Sequence, residues 1–127
     1  MIVRSFELTK IKLNNYKFYL FYGENEGLKE EIIKNFFEKS YQDKIHRYEE
    51  REIIDNINNF FNSVLTKSFF DNEKLIIINR ATDKIKTIVE DLIEKNPEDT
   101  LIVLNSKNLE KKSTLRKLFE KEKSIVC

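Results

Sequence analysis

Two uninterrupted apolar tetrads, Leu75-Ile76-Ile77-Ile78 and Leu101-Ile102-Val103-Leu104, restrict what this chain can fold into more than any other feature. A strand with one face in water alternates apolar and polar residues, so a run with no polar member suits a central strand of a parallel sheet, covered on both faces. Between the tetrads, Ile85, Ile88, Val89, Leu92 and Ile93 recur at i, i+3, i+4, i+7 and i+8, the stripe of a helix packed on one such face. Thr82 or Asp83 is its expected cap and Asn96-Pro97 its stop. Strand, crossover helix, strand is the unit from which parallel sheets are built, with a right-handed connection.

The same alternation extends along the chain. Phe18-Tyr19-Leu20-Phe21-Tyr22 reads as a first strand, after a lead-in over residues 1–16 that ends in an Asn14-Asn15 turn. A helix from about Gly27 to Ser40 follows, with Leu28, Ile32 and Phe36 on one face and Ile33 and Phe37 widening it. Lys44 to Tyr48 is a short polar-apolar alternation that suits a sheet edge. Ile53, Ile57, Phe61 and Val64 predict a second helix, Asp55 to Thr66, capped by Asp55 or Asn56. A fourth helix, Ser113 to Lys121, is expected to bury Leu115, Leu118 and Phe119 before Ile125-Val126 begins a fifth strand. The expected fold is α/β, a five-stranded parallel sheet with helices on both faces, in a single domain over residues 1–127.

Charge and cysteine content narrow the function classes. With 23 basic and 22 acidic residues the net charge is +1, so no global field recruits nucleic acid or an anionic membrane. No apolar stretch approaches the ~18 residues of a membrane span, and Cys127, the only cysteine, permits no internal disulfide; a cytoplasmic protein is expected. His46 is the only histidine and sits in the edge strand, so no metal site is expected.

Strand, glycine turn and helix over Lys17 to Phe36 have the shape of a phosphate-binding loop, which needs Gly, four residues, then Gly-Lys-Ser/Thr. With Gly23 as the first glycine, Leu28, Lys29 and Glu30 fill the last three places and only the lysine survives. Glu30 sets a carboxylate where a hydroxyl should meet magnesium, and Glu24 and Glu26 add negative charge to a loop meant for a polyanion. One like-charge contact at ~4 Å costs roughly 4 kcal/mol at an effective dielectric near 20. An ATPase of this build also needs acids after its third strand, where Asn79 and Arg80 stand; the polar Asn105-Ser106 pair after the fourth strand has no metal to sense. The site reads as a P-loop NTPase scaffold with a degenerate nucleotide site, no cofactor and no catalytic residues, in which Lys29 and Asn105 are relics or surface residues. A phospho-accepting receiver domain fails on the same position, because Asn79 replaces the required aspartate.

In order and spacing, Leu20-Phe21-Tyr22-Gly23-Glu24, Lys67-Ser68-Phe69-Phe70 and Lys111-Lys112-Ser113-Thr114-Leu115-Arg116-Lys117 resemble the N-terminal domain of the bacterial DNA polymerase III δ subunit family. The resemblance covers the whole chain. It implies an AAA+ fold that does not hydrolyse ATP, noncatalytic within a nucleotidyltransferase holoenzyme, that binds the sliding clamp (β subunit) and helps to open it in DNA replication. The family's clamp-binding motif, Gln-x-x-Ser-Leu-Phe, falls on Leu65 to Phe70: Ser68 and Phe70 agree, Phe69 replaces leucine, and Leu65 replaces glutamine. The family carries lid and collar domains, through which loader subunits assemble, after this one, and neither is expected within residues 1–127. The alternative is a module that touches DNA phosphates through Lys111, Lys112, Arg116 and Lys117; Glu110, Glu120 and Glu122 interrupt that patch and no aromatics interleave it for stacking.

Overall fold

The computed structural model describes residues 17–65, 73–97, 99–121 and 125–126; the lead-in expected over residues 1–16 lies outside them. The fold is α/β with a parallel sheet. Strands β1 (Phe18–Phe21), β2 (Ile45–Glu49), β3 (Lys74–Asn79) and β4 (Thr100–Asn105) form its body, and the two-residue β5 (Ile125–Val126) pairs with β1. The spatial order is β2-β3-β4-β1-β5, and each pair is parallel.

Helices α1 (Glu26–Ile33), α2 (Lys39–Tyr41), α3 (Glu50–Asp55), α4 (Ile57–Leu65), α5 (Lys86–Lys95) and α6 (Thr114–Lys121) make the crossovers. The β1-to-β2 crossover runs one way across the sheet and the later ones run the other way, so right-handed connections place helices on opposite faces. Accordingly Ile32, Ile33 and Phe37 pack on Tyr19, Phe21, Leu75, Ile77 and Val103. On the other face, Ile53, Phe60, Val64, Val89, Leu92, Leu115 and Phe119 pack with Leu20, Ile76, Ile78, Ile102 and Leu104. The two tetrads supply both faces in alternation, which is why neither contains a polar residue.

The first two helices differ from the periodicity reading. In α1, Leu28 is exposed and Lys29 is buried in its place, because the first turn overhangs the end of the sheet. A π turn over Lys34–Glu38 then carries Phe37 inward, where its ring meets Tyr19 and Phe21 edge-on. The helix expected over Asp55 to Thr66 is α4, Ile57–Leu65, but Ile53 of its expected stripe belongs to a separate helix, α3, which ends at Asp55 before Asn56 turns the chain at φ −148. Of the two expected caps, Asp55 is the last residue of α3 and Asn56 is the residue directly before α4, its carbonyl accepting from Phe60 N; Glu49 caps α3 in a reciprocal box with Glu52. The phase reset turns Phe60 inward and leaves Ile57 exposed.

The third and fourth helices follow the sequence reading closely. Thr82 caps the turn Asp83–Ile85 ahead of α5, and Asn96, at φ +46, ends it before Pro97. At the head of α6, Ser113 Oγ accepts from Arg116 N and donates to Asp83 Oδ1 at 2.6 Å, while Asp83 Oδ1 also accepts from Leu115 N at 3.1 Å. Two orphan amides of α6 are thus satisfied, one from its own cap and one from the start of α5.

The Ser113 hydroxyl, with help from the Leu115 and Thr114 amides, holds the Asp83 carboxyl below its usual range against the opposing effect of burial. A depressed folded-state pKa contributes stability that is complete above the unfolded value, near ~3.9, and disappears as pH falls through the folded one. Urea unfolding of wild type and Asp83→Asn across a pH series should therefore show a constant gap above about pH 5 that closes in strong acid.

Candidate functional site

The crevice of an open parallel sheet lies at the carboxyl ends of its strands, where successive crossovers diverge. Here that point is at β1, which lies between β4 and β5, while its own crossover departs toward β2. A cleft of about 470 Å³ opens there, lined by Glu26, Glu30, Glu49, Asn79, Arg80, Asn105, Ser106 and Lys107. Glu26 and Glu30, from the start of α1 just after the Gly23 turn, form one wall. Gly23 adopts φ +133, a conformation that strains any side chain, and an added Cβ would meet nothing within 4 Å, so the glycine serves backbone geometry alone.

The amides that such a loop would offer to a phosphate are largely spent within the chain. Gly23 N donates to Lys107 O, Glu26 N to Glu24 O, Leu28 N to Asn25 Oδ1 and Lys29 N to Asn25 O. Lys29 is only 6% exposed. Its Nζ donates to Glu26 Oε1 at 2.8 Å and also to the Ser106 carbonyl, so the one surviving residue of the phosphate motif is turned onto the end of β4. Of the two readings of Lys29 and Asn105, relic or surface residue, the surface one fails, since both are buried. The spacing Glu26-x-x-Lys29 places the two on one helix face and was legible, whereas the Ser106 carbonyl comes from 77 residues away.

Around this pin the cleft is rich in acceptors. Glu30 is exposed on its rim, and Glu49 Oε2 lies 3.7 Å from Arg80 Nε. Asn105 Nδ2 reaches Asn79 Oδ1 at 3.4 Å, so the positions that would hold magnesium-binding acids carry a side-chain amide and an exposed guanidinium. Asn105 Oδ1 and Ser106 Oγ are buried and have no partner among the described residues. Behind the cleft, buried Glu50 accepts from Thr82 N and Oγ at 2.8–2.9 Å, fixing the turn after β3 to the start of α3. Sequence reasoning missed Glu50, since nothing in its neighbours marks one glutamate of Glu49-Glu50-Arg51-Glu52 as the buried one. Among the described residues, no cluster of three or more His, Cys, Asp or Glu is arranged to hold a metal.

The remaining candidate residues lie elsewhere. Leu65 is 41% exposed at the end of α4. Ser68, Phe69 and Phe70 lie outside the described residues. Lys74 Nζ donates to Ser63 O at 3.0 Å, placing the end of α4 beside the first residue of β3, and burial holds the Lys74 ammonium below the usual lysine range. The cleft is at the opposite end of β3, roughly 16 Å away at ~3.3 Å per residue. In the basic patch, Lys111 and Lys117 are exposed and Lys112 is 3.3 Å from Glu110. Arg116 turns inward: it donates to Glu120 Oε1 and Leu109 O, and its guanidinium lies 4.9 Å from the centre of the Tyr22 ring. No helix among the described residues is long and apolar enough to cross a membrane.

A family model described as DNA polymerase III, delta subunit, matches residues 19–127. Among curated proteins none matches the chain.

Lys29→Met keeps the aliphatic stem and removes only the ammonium, leaving the Ser106 carbonyl without that donor. Because Glu26 is half exposed, the ion pair itself adds little, and the loss should be about 1–3 kcal/mol from the buried charged hydrogen bond. Denaturant unfolding of the variant against wild type measures it.

Proposed function

The chain belongs to the DNA polymerase III delta subunit family, and from that premise we propose that it is a clamp-loader domain that binds and helps open the sliding clamp without hydrolysing ATP. Members of this family are clamp-loader components in DNA replication. The observation that carries the noncatalytic reading is the closed phosphate loop. Lys29 is committed to Glu26 and the Ser106 carbonyl, carboxylates of Glu26, Glu30 and Glu49 line the cleft, and Asn79 and Arg80 stand where metal-binding acids are needed. An AAA+-type ancestry is supported by the glycine loop between a central β1 and α1 in a parallel sheet.

Clamp binding is assigned to Leu65, Ser68, Phe69 and Phe70. Its support is the position of Leu65, exposed where α4 ends, at the sheet end away from the cleft. Two phenylalanines entering an apolar pocket contribute roughly 1.5–3 kcal/mol each, and aromatic wedges of this kind are common interface hot spots. A wedge that fits the strained, open ring better than the closed one shifts the clamp toward opening by its binding energy alone, with no nucleotide in this domain. DNA is contacted indirectly through the clamp and the other loader subunits. The inward engagement of Arg116 argues against a phosphate-binding role for the basic patch in this domain.

The test pairs clamp affinity with stability for Phe69→Ala/Phe70→Ala. Affinity should fall about a hundredfold or more, at ~1.4 kcal/mol per tenfold, with little change in melting temperature. Unchanged affinity together with a large loss of stability would make the pair core residues and overturn the assignment. Calorimetry with ATP and magnesium should show no binding; a micromolar, magnesium-dependent site would overturn the noncatalytic reading.

A further inference from the structure

We propose that Glu26 closes a latent site for a tetrahedral oxyanion such as phosphate, its carboxylate occupying the place on the Lys29 ammonium that the anion would take. The proposal rests on the noncatalytic reading above and deepens it, by naming the side chain that shuts the loop. Its ground is the ion pair across the first turn of α1, with Lys29 Nζ 2.8 Å from Glu26 Oε1. Glu26 is half exposed and lines the cleft, whereas Lys29 is buried and does not line it, so the carboxylate is the ammonium's partner on the cleft side. The other partner, the Ser106 carbonyl, is backbone and stays whatever stands at position 26.

Charge balance singles out Glu26. Carboxylates of Glu26, Glu30 and Glu49 line the cleft with the cations Arg80 and Lys107, and Lys29 brings the two signs level. Without Glu26 one cation is in excess, and the ammonium left short of a counter-ion is the buried one, where attraction to an anion is screened least. That ammonium destabilises the fold until an anion returns to it. Ser106 adds a second polar group: it lines the same cleft, and its buried Oγ has no partner among the described residues, which leaves its hydrogen free for an anion. Asn105 Oδ1 is equally without a partner there, and a half-turn of that amide, which breaks only the 3.4 Å contact with Asn79, offers Nδ2 instead. Glu30, Asn79 and Arg80 still stand where a magnesium nucleotide needs a hydroxyl and acids, so the latent site takes a free oxyanion.

The experiment melts the full chain in sodium chloride and in sodium phosphate of equal ionic strength and pH, for wild type, Glu26→Ala, Glu26→Ala/Lys29→Met and Glu31→Ala. Glu26→Gln takes the place of the alanine variant should that one not fold. Phosphate stabilises most proteins by exclusion from their surfaces, so the comparison is between variants. Glu31 is exposed on α1 outside the cleft lining and controls for net charge. Glu26→Ala should melt below wild type in chloride and gain about 4–7 °C more than wild type on moving to phosphate, as expected when the anion stands at about tenfold its dissociation constant. The other two variants should gain no more than wild type. Amide resonances of residues 26–29 and 106–107 should move with phosphate in Glu26→Ala alone. No extra gain in Glu26→Ala, an equal gain in the double variant or in Glu31→Ala, or unmoved resonances would overturn the proposal. Calorimetry of wild type with ATP and magnesium separates the two readings. Binding there overturns the noncatalytic reading and the proposal with it, whereas no binding in wild type and no extra gain in Glu26→Ala leaves that reading standing and the proposal alone wrong.

Discussion

The register of β3 against β4 is the constraint on which everything else depends. Ile76 lies opposite Ile102, Ile77 opposite Val103 and Ile78 opposite Leu104, so each strand sends alternate side chains to the two faces in step with its neighbour. A slip of one residue in β3 would reverse its faces against β4, moving Ile77 away from Phe37 and toward α5. Both faces are apolar, so either set could be buried in principle; the helices decide, because Phe37 packs in the cluster on one face and Phe119 in the cluster on the other. Close packing then fixes where each strand ends, and with it where the polar residues Asn79 and Asn105 emerge.

At that carboxyl end the chain satisfies its own polar groups. Lys29 bridges α1 to the end of β4, Glu50 holds Thr82, and Asp83 holds the head of α6. These bonds connect elements far apart in sequence, and the lysine of the phosphate motif is among the groups they engage. The usual argument from a degenerate motif is one of loss, a missing hydroxyl or a missing acid. The geometry adds a positive one: the lysine that remains has acquired partners, and a buried ammonium with a carboxylate and a carbonyl beside it is not a vacant binding group.

The two candidate regions occupy opposite ends of one strand. Lys74 opens β3 beside the end of α4, and Asn79 closes it at the cleft. A rigid, doubly covered strand transmits little unless it has two discrete arrangements, and all its apolar side chains are buried in one. On the proposed reading, a clamp-binding surface at the far end would work on binding energy alone.

From the sequence alone came the fold class, the edge position of β2, the caps and stop of α5 and the failure of the phosphate motif. Each depends on local pattern: an apolar run, a period, a turn residue or a missing hydroxyl. The split of α3 from α4 was not legible, since Ile53, Ile57, Phe61 and Val64 satisfy helical spacing across the Asn56 break, and only packing shows that Phe60 replaces Ile57 in the core. The fate of Lys29 was decided by tertiary structure as well. Glu26 lies one turn away on the same helix, but the carbonyl that completes its burial belongs to Ser106, which parallel pairing of β1 with β4 brings alongside. A sequence records which groups a chain carries; which of them meet depends on strand order and register, set by burial of the whole core at once.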